Sequence, residues 1–80
     1  MDKWEYLVVR SFGGVVILVN GQEEGKIVGG QPIGEMLYEF LNERGEDGWE
    51  VVGLAGVRDG IEVILKREVE FDDEEEEQEE

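Results

Sequence analysis

Short runs of apolar, largely β-branched residues separated by glycine-containing turns recur along this chain, and a helical period appears once. Trp4-Glu5-Tyr6-Leu7-Val8-Val9-Arg10 is rich in aromatic and β-branched residues and predicts a strand. Val15-Val16-Ile17-Leu18-Val19 predicts a second, and its unbroken apolar character implies burial on both faces. Gly13-Gly14 between them marks a tight turn. Asn20-Gly21 is a two-residue hairpin signal, because both central residues of such a turn need positive φ. The return arm, Gln22 to Val28, has only Ile27 and Val28 as apolar residues and reads as a short edge strand or a loop.

A helical period appears after Gly29-Gly30-Gln31-Pro32. Ile33, Met36, Leu37, Phe40 and Leu41 fall at i, i+3, i+4, i+7 and i+8, one stripe of an amphipathic helix. Pro32 suits a first helical turn and Gly45 suits the left-handed residue that ends one, so the spacing predicts a helix from about Pro32 to Arg44. Trp49 to Val57 and Ile61 to Arg67 predict two further strands around an Asp59-Gly60 turn, the last extending to Val69. The order is β-β-(β)-α-β-β. It implies an α+β fold, an antiparallel four- to five-stranded sheet with one helix on one face. Residues 1–69 make one small domain, and 80 residues leave no room for a second.

One helix covers one face of such a sheet, and the other normally turns polar residues to water. Here it does not. With a turn at Asp59-Gly60, Leu54 pairs with Leu65 and Gly56 with Val63. Val51, Ala55, Val57 and Ile64 then fall on the opposite face with Trp49. Trp4, Tyr6 and Val8 likewise oppose Leu7 and Val9. The candidate interface is Trp4, Trp49, Val51, Ala55, Val57 and Ile64. Its expected cover is a second copy of the chain about a twofold axis, giving a homo-oligomer with a dimer favoured.

Charge narrows the partners. Residues 1–67 hold 12 acidic and 7 basic residues, whereas residues 68–80 hold 10 acidic and none basic. No basic stripe is present to neutralise phosphates, so neither nucleic acid nor an anionic membrane surface is an expected partner. A like-charge block such as residues 70–80 has little apolar area to offset chain entropy, which predicts disorder. That acidic tail would keep a sticky domain soluble or dock on a basic protein partner. Its carboxylates would hold a divalent metal only weakly, without geometry or selectivity. The charged N-terminus is unlike an export signal, and the longest apolar run, Val15 to Val19, is far too short to span a bilayer. The cytoplasm is the expected location.

Leu41-Asn42-Glu43-Arg44-Gly45-Glu46-Asp47-Gly48-Trp49-Glu50-Val51-Val52-Gly53 resembles the "LNELGAEGWELVG" signature of a small bacterial family catalogued as domain of unknown function 4177. Trp4 to Val9 is similar to its opening strand and Ile64-Leu65-Lys66-Arg67 to its closing one. The resemblance covers residues 3–67 and departs over Gly13 to Gln31, which looks longer than the family's linker. It implies a compact α+β domain and brings no functional residue with it. The residues themselves read the signature as a folding motif: Gly45 caps the helix, Gly48 reverses the chain, and Trp49 anchors the next strand.

Catalytic chemistry has few carriers. The chain contains no His, no Cys, no Thr and one Ser, so the usual nucleophiles and neutral-pH bases are nearly absent. Glu35, Glu39 and Glu43 share one face of the expected helix and read as a solvated face, because so small a domain offers little concavity to shift a pKa. No catalytic residue, metal or cofactor is assigned, and the chain is not expected to be an enzyme. One alternative to self-association is a small-ligand or anion site. In it the backbone N–H groups of Gly29, Gly30, Gln31 and Gly34 would lead into the helix N-terminus. The stretch lacks the Gly-Lys-Ser/Thr ending of a phosphate-binding loop.

Overall fold

The computed structural model describes residues 3–69; the expectation of disorder for residues 70–80 lies outside them. Strands β1 (Lys3–Phe12) and β2 (Val15–Val19) form where the aromatic and β-branched runs place them. Asn20 and Gly21, at φ +53° and +82°, connect β2 to β3 (Gln22–Glu23) in the primed-turn geometry that the Asn-Gly pair favours. The weak return arm does not continue as one strand. An added Cβ at Gly25 would collide with the carbonyl oxygen of Val16, so the chain crosses β2 closely there and leaves the sheet. It then forms a separate hairpin, β4 (Lys26–Val28) and β5 (Gln31–Ile33).

The helix starts later than its apolar spacing suggests. α1 runs Leu37–Glu46, not from Pro32. Pro32 pairs with Ile27 inside the hairpin. The next residues are tied to β2: Val16 N donates to Glu35 O at 2.8 Å, and Leu37 N donates to Gly14 O at 2.8 Å. Met36 is extended, with φ −69° and ψ 141°. Tertiary hydrogen bonds thus override a helical stripe whose first two members, Ile33 and Met36, lie outside the helix. The C-terminus also moves. Gly45 stays helical and Gly48, at φ +96°, is the left-handed residue. Gly48 N donates to Gly45 O and Trp49 N to Arg44 O, each at 3.0 Å, the paired bonds of a Schellman motif. The Gly-x-x-Gly-Trp segment is therefore a helix stop that launches β6 (Glu50–Val57).

The main sheet is antiparallel, in the order β3-β2-β1-β7-β6, where β7 is Gly60–Val69. With one helix between strands, the domain is α+β. The β6–β7 turn is Arg58-Asp59, since Val57 pairs with Gly60. Gly60 is withheld from the turn because it abuts β1: a Cβ there would collide with the Ser11 carbonyl oxygen. Leu54 consequently pairs with Val63 and Gly56 with Ile61, two residues from the expected register. A slip of two keeps each residue on its face. A single extra residue does not, and the register shifts between Val51 and Gly53.

The core lies between the sheet and α1. Val9, Val16, Phe40, Val63 and Leu65 are buried there, with Leu7, Val19, Leu37, Leu41 and Trp49 packed around them. Ser11 is the one buried polar residue among those described. Its hydroxyl donates to Ile61 O at 3.0 Å and accepts from Ile61 N at 3.3 Å, standing in for a ladder pair beyond Arg10–Glu62.

Candidate interaction face

Because α1 sits over Val9, Val63 and Leu65, the alternate residues of the same strands face away from it. In β1 these are Trp4, Tyr6, Val8 and Arg10. Across the ladder, Tyr6 lies opposite Lys66, Val8 opposite Ile64 and Arg10 opposite Glu62. From β6, Gly53 pairs with Ile64, Ala55 with Glu62 and Val57 with Gly60. This outer face is an apolar centre with charged positions around it. Trp4 is 43% and Tyr6 54% exposed, and Val8 and Ile64 are also exposed. Lys66 places its ammonium 4.1 Å from the Trp4 ring centroid, a cation–π contact at the rim. Arg10 reaches Glu62 at 3.7 Å.

Four of the six residues singled out from sequence share this face: Trp4, Ala55, Val57 and Ile64. Val51 does not. The bulge turns it to the helix side, opposite Leu65. Trp49 does not either. It is half-buried against the core, and the Arg67 guanidinium stacks on its ring at 4.6 Å. Arg67 also donates from Nε to Glu5 Oε2 at 2.8 Å and from Nη1 to the Asp47 carbonyl at 3.2 Å. It therefore ties the helix end, β1 and Trp49 together, a structural task. Tyr6 and Val8 complete the face; their alternation with Leu7 and Val9 was the signal for them.

The glycine loop has a different geometry from the one expected. Gly29 and Gly30, at φ +58° and +79°, are the two turn residues of the β4–β5 hairpin, and Gln31 pairs with Val28. Gly34 follows β5, and the helix begins only at Leu37. Residues 29–34 are not a helix N-terminus, so the backbone N–H array envisaged for an anion is not built there.

The three glutamates are not one helix face, since Glu35 precedes α1. Burial raises the Glu35 pKa above its ordinary 4.5, and a hydrogen bond with Glu43 and the Glu43 charge raise it further. Arg44 acts in the opposite sense and Glu39 adds a small raise. Glu35 lines a cavity of about 110 Å³ with Val16, Val19, Glu24, Phe40 and Arg44, too small for a substrate-sized molecule. Among the described residues no helix is long and apolar enough to cross a membrane. No protein-family model, curated protein or solved structure matches this chain, so the resemblance over residues 3–67 rests on its motifs alone.

Proposed function

We propose that this chain is a small, non-enzymatic protein-interaction module that pairs with a second copy of itself through the outer face of its sheet. In this reading residues 70–80 are an acidic solubilising element, or a docking element for a basic partner. The observation that supports it is the exposed centre of Trp4, Tyr6, Val8 and Ile64, with none of the described elements packed over it.

A magnitude shows how much of the face is needed. A large aromatic side chain carries roughly 150–250 Å². At their exposures, Trp4 and Tyr6 leave on the order of 200 Å² uncovered per chain. Covering that area in two copies is worth about 10 kcal/mol at ~25 cal/mol per Å². Association costs roughly 4–15 kcal/mol, so the aromatics alone only break even. Val8, Ile64, Ala55 and Val57 must contribute too, which requires the whole face to meet its twin.

Light scattering of residues 1–80 and 1–69 across concentration tests this. A mass of at least two chains in both is expected. A single-chain mass at every concentration would overturn the reading.

A further inference from the structure

We infer that the cavity where β1, β2 and the β4–β5 hairpin meet takes Phe71 and its flanking carboxylates from a second copy of the chain. The inference rests on the outer-face pairing proposed above, and it names the basic partner of the acidic tail. On the outer face Arg10 pairs with Leu18, and Phe12 continues the alternation. With Ile17, Ile27 of β4 and Arg58 of the β6–β7 turn they line a cavity of about 200 Å³. Its walls are mostly apolar and its charges are two guanidinium groups. The cavities beside Arg67, Arg44 and Lys26 each carry more carboxylates than cations. In a chain of net charge −15, this cavity is therefore an exception in sign. Arg10 has Glu62 at 3.7 Å, and Arg58 has no ion-pair partner among the described residues.

Size, charge and reach select the occupant. The cavity is smaller than the roughly 300–1,000 Å³ that whole small ligands occupy. One benzene ring, by contrast, needs only about 150 Å³. The fitting group is a single aromatic side chain with acids beside it, because guanidinium–carboxylate hydrogen bonds are among the strong ones. Phe71 is the one apolar residue of 70–80, and it stands between Glu70 and Asp72-Asp73. Its own cavity is out of reach. Val69 pairs with Lys3, and Arg10 lies seven residues further along β1. That distance is about 23 Å at ~3.3 Å per residue. Phe71, two residues past Val69, has only about 7 Å of chain to cover it. The chain's own tail can bring only later glutamates there, without the ring. A second copy removes the difficulty. A twofold axis perpendicular to the strands, passing near Tyr6 and Val8, sets the Val69 end of each copy over the Arg10–Phe12 end of the other. Tyr6 and Val8 are also exposed in the apolar centre of the face. The axis that the tail needs is thus one that the face supplies.

The chain has no cysteine, which makes the test direct. Full-length Glu70→Cys protein is mixed with full-length Ile27→Cys protein, oxidised mildly and analysed by intact mass. The control partner is Tyr38→Cys, on the exposed side of α1. A mixed two-chain product severalfold above the control is expected. Phe71→Ser on the first partner lowers it severalfold. Arg58→Glu on the second does the same, whereas Arg58→Lys keeps most of it, which separates lost charge pairing from lost folding. In sedimentation equilibrium, Phe71→Ser without any cysteine should raise the dimer dissociation constant at least tenfold. A mixed product no higher than the control, from a protein whose mass is still two chains, overturns the tail docking and leaves the outer-face pairing standing. A single-chain mass with no mixed product overturns both. A mixed product indifferent to Phe71→Ser and Arg58→Glu overturns this cavity as the place where the tail docks.

Discussion

Tyr6→Ser separates the interface from the fold. Tyr6 is 54% exposed on the outer face and leaves on the order of 100 Å² uncovered. In a twofold interface the substitution acts twice, so about 200 Å² of apolar burial is lost, or about 5 kcal/mol at ~25 cal/mol per Å². Since about 1.4 kcal/mol is tenfold in an equilibrium constant, the dimer dissociation constant rises roughly 10³-fold. The single chain is affected far less, because the ring is half outside already; a stability change of less than about 1 kcal/mol is expected. Sedimentation equilibrium across concentration reads the first quantity, and urea unfolding at a concentration where both proteins are single chains reads the second. An unchanged dissociation constant would refute the placement of Tyr6 in the interface. A fall in single-chain stability of several kcal/mol would refute the assignment of Tyr6 to an uncovered face.

Three further substitutions probe the frame and its titration. Ser11→Ala removes the hydroxyl that serves both backbone groups of Ile61 and should lower unfolding free energy by about 1–2 kcal/mol, measured by denaturant titration. Gly48→Ala forces a side chain onto a residue at φ +96° and should destabilise by about 1 kcal/mol in the same assay, with Gly45→Ala causing no such loss because Gly45 is helical. Glu35 has a folded pKa raised above its unfolded value, so its stabilising contribution is present below about pH 4.5 and is lost as pH rises through the folded value. Glu35→Gln should therefore gain on wild type between pH 4 and pH 7, as read from thermal unfolding at each pH, and a constant difference would contradict the shift.

The strands were legible because their information is local. Aromatic and β-branched residues from Trp4 to Arg10 mark β1, and Asn20-Gly21 marks the turn after β2 without any neighbour being known. What escaped depends on distant chain. Ile33 and Met36 fit a helical stripe, yet the backbone at Glu35 and Leu37 is held by Val16 and Gly14, and nothing near residue 35 announces that. Gly60 reads as a turn glycine, but its place is fixed by the Ser11 carbonyl, 49 positions earlier. The register shift around Val52 is silent because Val51 and Val52 are both apolar, so the pattern does not show which of them leaves the ladder. That one residue separates Val51 from the face it was assigned to. Trp49 was misplaced for a related reason: an indole entering a strand can anchor either face, and Arg67 and the helix stop decide it.

Covering of the outer face by a second chain is tested most directly at Trp4. In a Trp49→Phe variant, Trp4 is the sole indole, and acrylamide quenching reports its contact with solvent. Quenching should weaken as concentration rises through the association range set by light scattering. Equal, strong quenching of the single chain and of the assembled form would show that assembly leaves the face bare.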